Sequence, residues 1–362
     1  MSSAISRRKF VIGGSLAILG CAAAYKAVTS LRDKTARIKP NPPNIPDKVV
    51  RIYDPRATSW DYSTERYLDF VDQNVVDEMV DRGVCELMSA GDPKSAWKEI
   101  MAAYEPGDII VIKPNFNNVN HGYKELITSP QVVAAVIRGL VLHLSVPEDN
   151  IYVYDLCKVI PDEIVKNRIP YRVKYVGRRV VRSLKDKIHL QLRRGLEAPD
   201  RRAPIKMSER VVDRSGREVT CYMPKVLTQA HHLINIAVLT NHIYLLASGP
   251  LKNHFGTVRF SNLESYPVCL HGSVLTSAIY DINRNLHVRE KTRLVVVDAL
   301  FGTYGRGHFS GIRRWKTFPC ENGTPNSVFI SRDAFAAESV VCEHVRKERE
   351  YHGLRILQNV IA

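Results

Sequence analysis

The chain has 362 residues, 45% of them apolar, and a formal net charge of +15. That length supports one large α/β domain or two small ones, with a core large enough to fold without a disulfide or metal staple. Its seven cysteines are scattered with no C-x-x-C pair, which argues against an iron–sulfur cluster or a zinc ribbon.

Ser6-Arg7-Arg8-Lys9-Phe10 precedes the apolar run from Val11 to Ala24. A paired arginine before a short apolar stretch is the signature of a twin-arginine export signal, read by the twin-arginine export machinery. The run is shorter than the roughly 20 residues of a bilayer span. The expectation is a protein exported already folded to the periplasm or another extracytoplasmic space. Ala22-Ala23-Ala24 offers a cleavage site, and Ile18-Leu19-Gly20-Cys21 resembles a lipoprotein box. An uncleaved leader would attach the chain to the membrane surface. Residues 1–30 are thus assigned to the leader, 31–48 to a Pro-rich linker centred on Lys39 to Pro46, and 49–362 to a single α/β domain.

Val49 to Tyr53 reads as a first strand, and Ser63 to Val84 as a helix with Ser63 as its cap. Asp108 to Lys113 is a short apolar run between Pro106-Gly107 and Pro114, the profile of a buried strand. A helix starts at Ser129-Pro130 and runs through Val141, and Asn150 to Tyr154 is the next strand. Strand, helix and strand at this spacing predict a βαβ unit with parallel pairing. Residues 165–217 break the rhythm, with 17 Lys and Arg against 5 Asp and Glu, a net of +12. The turn Arg214 to Arg217 marks this segment as a basic β-hairpin insertion. No helix-turn-helix, RNA-binding or zinc-finger pattern accompanies it, so no nucleic-acid partner is expected; a solvated basic face is.

Further strands are expected at His232 to Leu239, Arg293 to Asp298 and Ser327 to Ile330, with helices at Ser273 to Asn285 and Asp333 to about Glu348. The predicted fold is α/β, a mostly parallel open sheet with flanking helices. Because His231 and His232 open a strand, their side chains are expected on opposite faces, unable to share a metal.

Open parallel sheets bind ligands outside the carboxyl ends of their strands, and polar residues stand at those ends here. Lys113, Asn115 and Asn117 follow one strand and Asp155 the next; Asn241-His242 and Asp298 follow two others. Asp298 leads into Gly302-Thr303-Tyr304-Gly305-Arg306-Gly307-His308. A tight loop, Leu251-Lys252-Asn253-His254-Phe255-Gly256, supplies a second cluster. Lysine beside asparagine suits a phosphate, carboxylate or polarised carbonyl. Lys252, His242 and Lys113 are the candidate catalytic residues. Asn115, Asn117, Asn253, Gly256 and Arg306 are the candidate contacts to a small anionic ligand. Asp155, His242 and Asp298 combine carboxylates with imidazole and so form a candidate divalent-metal set.

Val-Ile-Lys-Pro-Asn at 111–115, the strand closing in His242, Leu-Lys-Asn-x-x-Gly at 251–256 and Val-Val-Asp-Ala at 296–299 together resemble the domain of unknown function 362 family, over roughly residues 108 to 345. The resemblance implies an α/β fold with a polar cleft and an uncharacterised activity. Some relatives carry ferredoxin-like cysteine clusters, which this chain lacks. Relatives also tend to have a lysine two residues ahead of the histidine, where this chain has Thr240. Two functions are therefore carried forward. One is an exported, cofactor- or metal-dependent enzyme of redox or hydrolytic type acting on a small anion. The other is a non-catalytic protein that captures an anionic ligand or surface polymer.

Overall fold

The computed structural model of the chain describes residues 35–41, 48–116, 125–178, 195–261, 267–305, 311–318, 320 and 323–356. Residues Arg37–Ala362 form one compact unit and Met1–Ala36 another. The twin-arginine pair, the apolar run and Cys21 lie outside the described residues. Among the described residues no helix is long and apolar enough to cross a membrane.

Seven strands form the main sheet: β1 (Val49–Tyr53), β2 (Ile110–Pro114), β3 (Ile151–Asp155), β4 (Lys174–Gly177), β7 (His232–Thr240), β9 (Thr292–Thr303) and β10 (Ser327–Ser331). Their spatial order is β1-β10-β9-β7-β2-β3-β4. The pairs from β9 through β4 are parallel, while β10 is antiparallel to both β9 and β1. A second sheet of three antiparallel strands has β6 (Cys221–Pro224) between β5 (Pro199–Pro204) and β8 (Arg259–Phe260). The α/β expectation thus holds. The basic segment differs in detail, because among the described residues β4 joins the main sheet, while β5 and the Asp213–Arg217 turn leave it.

Side-chain alternation along the strands divides the core. Ile110, Ile112, Ile234, Ile236, Val238, Leu294 and Val296 pack on one face, under α1 (Gln73–Met88), α2 (Pro93–Ile100) and α3 (Pro130–Leu144). Val111 and Leu233 face the other way, towards the small sheet and α4 (Leu275–Asn283). Val295, Val297 and Ala299 lie on that same side under α5 (Ala334–Tyr351). Period-two alternation with both faces covered is what a largely parallel sheet requires. Gly139 on α3 permits the closest helix contact: a Cβ there would stand 2.3 Å from the Trp97 ring.

Three sequence expectations shift. The first helix begins at Gln73, because Asp72 accepts from the backbone N–H groups of Asn74 and Val75 and caps it; Ser63 lies well before the start. Strand β9 runs five residues past Asp298, pairing with β7 as far as Thr240↔Thr303 through a register shift. His231 precedes β7, so alternation does not govern it. It and His232 both approach Asp108, at 3.6 and 2.9 Å.

The amino-terminal rim of the sheet is closed by residues Lys39 to Asn41. Lys39 pairs with Asp108 at 2.7 Å just before β2, and buried Arg293 at the start of β9 bonds to Asn41 and to the Lys39 carbonyl. The carboxyl-terminal rim lies at the opposite end of the strands.

Candidate functional site

The chain runs β2, β3, β4 in one direction across the sheet and then returns to place β7 on the other side of β2. This reversal makes β2/β7 a topological switch point, where a crevice opens beyond the strand ends. A cleft of about 100 Å³ lies there. Its walls hold Lys113, Asn115, Asp155, His242, Lys252, Asn253 and Gly256, seven residues singled out from sequence, together with Cys157, Thr240, Asn241, Ser248, Phe255 and His271.

The floor is a buried ion pair. Lys113, pointing to the same face as Val111, is completely buried, and its Nζ donates to the Pro114 carbonyl (2.7 Å), Asp155 Oδ2 (3.1 Å) and Asn253 Oδ1 (3.3 Å). Those are the three donors of an ammonium. Asp155 accepts in addition from the backbone N–H of Phe116 on Oδ2 and of Cys157 on Oδ1. Neither charge is left uncompensated, as burial demands.

The loop carrying Lys252 is stitched down over these strand ends. Asn253 Nδ2 donates to the Lys113 carbonyl (2.9 Å) and to Asn235 Oδ1 (2.7 Å), and Asn235 Nδ2 donates to the Pro250 carbonyl. Asn235 and Lys113 are register partners across β2 and β7, so one amide can bridge both strands. Gly256 packs against the ion pair, and a Cβ there would sit 2.8 Å from Asp155 Oδ1 and 2.9 Å from Lys113 Nζ. Behind the loop, buried Glu338 of α5 accepts from the N–H groups of Gly249 (3.2 Å) and Leu251 (2.9 Å). Burial raises its carboxyl to about 7 against those two bonds.

Lys252 differs from Lys113. It is partly buried, its Nζ stands 4.8 Å from the Phe255 ring centroid, and it makes no hydrogen bond or ion pair among the described residues. Burial pushes its amine down to about 8, with weaker opposing influence from Cys157 and Glu338. Across the cleft, His242 accepts from the Tyr244 N–H on Nδ1 (3.3 Å), which places the proton of its neutral ring on Nε2. The His271 ring lies 5.5 Å from His242 and 5.4 Å from Phe255. Thr240 shares a 2.7 Å hydroxyl contact with Thr303. Cys157 is buried, which with neighbouring Asp155 raises its thiol to about 12.

Asp298 does not reach the cleft. It lies within β9, and its two oxygens accept from the N–H groups of Ser129 (2.6 Å) and Leu300 (3.0 Å), at the start of α3 on the opposite face. Asp155 and His242 do share the cleft, but the Asp155 oxygens are already occupied. Among the described residues no group of three His, Cys, Asp or Glu is arranged to hold a metal ion. The three residues considered from sequence as a metal set, Asp155, His242 and Asp298, are therefore not brought together. Asn117 and Arg306 lie outside the described residues.

Sequence reasoning missed Cys157, Ser248, His271 and Glu338 as parts of this site. Cys157, two residues beyond the strand-end Asp155, was open to discovery by position. Glu338 was not, because a carboxylate inside a helix carries no local mark of what it caps.

Residues 192–343 match the family described as Domain of unknown function (DUF362). That stretch includes β7, the Lys252 loop, β9 and Glu338. Lys113 and Asp155 lie before it. No curated protein matches the chain.

Proposed function

We propose that the strand-end cleft binds a small anionic ligand and acts on it, with Lys252 as the group that meets the ligand. The observation that carries this reading is the Lys252 amine, which lies over the Phe255 ring and has no hydrogen-bond or ion-pair partner among the described residues, beside a fully compensated Lys113–Asp155 pair. The pair contributes no net charge, so Lys252 leaves the cleft positive. A volume of about 100 Å³ corresponds to a few waters at about 30 Å³ each. It suits a phosphate or a short carboxylate and falls below the roughly 300 Å³ at which drug-sized ligand pockets begin. His242 supplies an imidazole for proton transfer.

The test is binding of phosphate, sulfate, acetate and pyruvate, followed by ligand-observed NMR. A charge-assisted hydrogen bond is worth about 1.5–3 kcal/mol, so Lys252→Ala is expected to weaken the best-bound anion about tenfold or more, with melting temperature unchanged. Equal binding by the variant, or no anion bound by either protein, would overturn the reading. A binding protein without turnover is the second reading. It is favoured by the engagement of Lys113 and Asp155 with each other, which leaves fewer groups for chemistry.

We further propose, from Arg7-Arg8 and the apolar run after them, that the protein is exported folded by the twin-arginine machinery. Replacing both arginines by lysine is expected to retain the protein in the cytoplasmic fraction. An unchanged distribution on fractionation would exclude that route.

A further inference from the structure

Building on the cleft reading, we infer that Lys252 is a Schiff-base lysine and that the ligand is a short 2-oxo acid, whose ketone or aldehyde carbon is attacked by Nζ. The two lysines of the cleft set up the contrast. Lys113 cannot act as a nucleophile, because all three of its donors are bound to fixed acceptors. Lys252 projects into the same cleft with no acceptor among the described residues, against an aromatic ring in place of a carboxylate. Of the two acidic groups that oppose the shift, Cys157 and Glu338, the carboxyl of Glu338 is held by two backbone N–H groups, and among the described residues it forms no ion pair with Lys252. The backbone carrying Lys252 is fixed from both sides, by Glu338 at Gly249 and Leu251 and by Asn253 over the strand ends. An amine held at a defined position, partly buried and with no acceptor among the described residues, is placed for carbonyl addition.

Burial supports the same conclusion. With its amine lowered to about 8, about a tenth of Lys252 is unprotonated at pH 7, against less than about one in a thousand for an ordinary lysine. The chemistry balances with no external oxidant or reductant. The Nζ lone pair forms the C–N bond while a proton passes from nitrogen to the former carbonyl oxygen, giving a carbinolamine. The C–O bond then breaks, oxygen departs as water after accepting a second proton, and the C=N bond closes. His242 is the cleft imidazole suited to move that proton. The resulting iminium is positive, and in a 2-oxo acid the carboxylate sits on the adjacent carbon. One nitrogen thus serves both as nucleophile and as the partner of the anion, which fits a cleft in which Lys113, the other lysine among the described lining residues, is neutralised.

The experiment is reductive trapping on the full-length protein. Wild type is incubated with pyruvate or glyoxylate and sodium cyanoborohydride, and lysine adducts are located by peptide mass spectrometry. The expected result is one reduced adduct, on Lys252, at least tenfold above that on any exposed lysine and suppressed by excess lactate, which has the carboxylate but no carbonyl. Lys252→Arg is expected to keep the fold, read as an unchanged melting temperature, and to lose the adduct. Lactate or phosphate binding without an adduct at Lys252 would overturn the Schiff base and leave the anion site standing. Adducts spread evenly over lysines would do the same. Absence of both adduct and anion binding would remove the two readings together.

Discussion

Asp155→Ala is expected to lower the unfolding free energy by about 3–5 kcal/mol, the cost of leaving a buried charge without its partner. Lys113 has no exposure to solvent and Asp155 has 1%, so water cannot replace the lost carboxylate. The substitution also strips the backbone N–H groups of Phe116 and Cys157 of their acceptor, and each unsatisfied donor adds to the cost. Lys113→Met is expected to cost less, because the carboxylate keeps both of those bonds. Combining Lys113→Met with Asp155→Ala should then recover part of the loss, since no orphaned ammonium remains. Urea unfolding at neutral pH reads all three variants. A loss below about 1 kcal/mol for Asp155→Ala, or full additivity in the double variant, would mean that the pair is not the sealed floor described above. Because Gly256 and Asn253 rest on the same pair, the variant that unfolds most easily should also be the one whose Lys252 loop is displaced.

The strands and the cleft were legible in the sequence for one reason. Buried parallel strands are short apolar runs, and the polar residues that end them have no packing duty. Lys113, Asp155 and His242 could therefore be read as one rim without knowing the strand order. What the sequence did not carry was the switch point between β2 and β7, since no residue pattern states which strand lies beside which. The misplacement of Asp298 has a specific cause. The run Leu294 to Val297 loses its apolar character at Asp298, which looked like a strand end. The strand in fact continues to Thr303, with the carboxylate satisfied by two backbone N–H groups. The roles of the two lysines were equally hidden. Each has an asparagine within two residues, in a loop or at a strand end, and only the surrounding acceptors show that Lys113 is bound and that Lys252 has none among the described residues.

Glu338 carries the second large effect, on the pH dependence of stability. Its carboxyl is raised from an ordinary 4.5 to about 7 in the folded protein, through burial, while the Gly249 and Leu251 N–H groups and Lys252 pull the other way. A raised acid binds its proton more tightly folded than unfolded, so its contribution is fully present below about pH 4.5. It is lost progressively as pH rises to about 7. At 1.36 kcal/mol per unit, the loss over that window is about 3 kcal/mol. Glu338→Gln cannot ionise and should abolish this component. It gives up one of the two backbone bonds, because a single amide oxygen replaces two carboxylate oxygens, but that offset does not vary with pH. The measurement is the difference in unfolding free energy between wild type and variant at intervals from pH 4.5 to 8. The expected curve favours wild type at the acid end and closes or reverses at the alkaline end; parallel profiles would show that Glu338 titrates normally. The same substitution removes a negative group that raises Lys252, so the Lys252 amine should titrate below about 8 in the variant. Ionisation of the Glu338 carboxyl and reactivity of the cleft amine are thereby coupled through one turn of chain, Gly249 to Lys252.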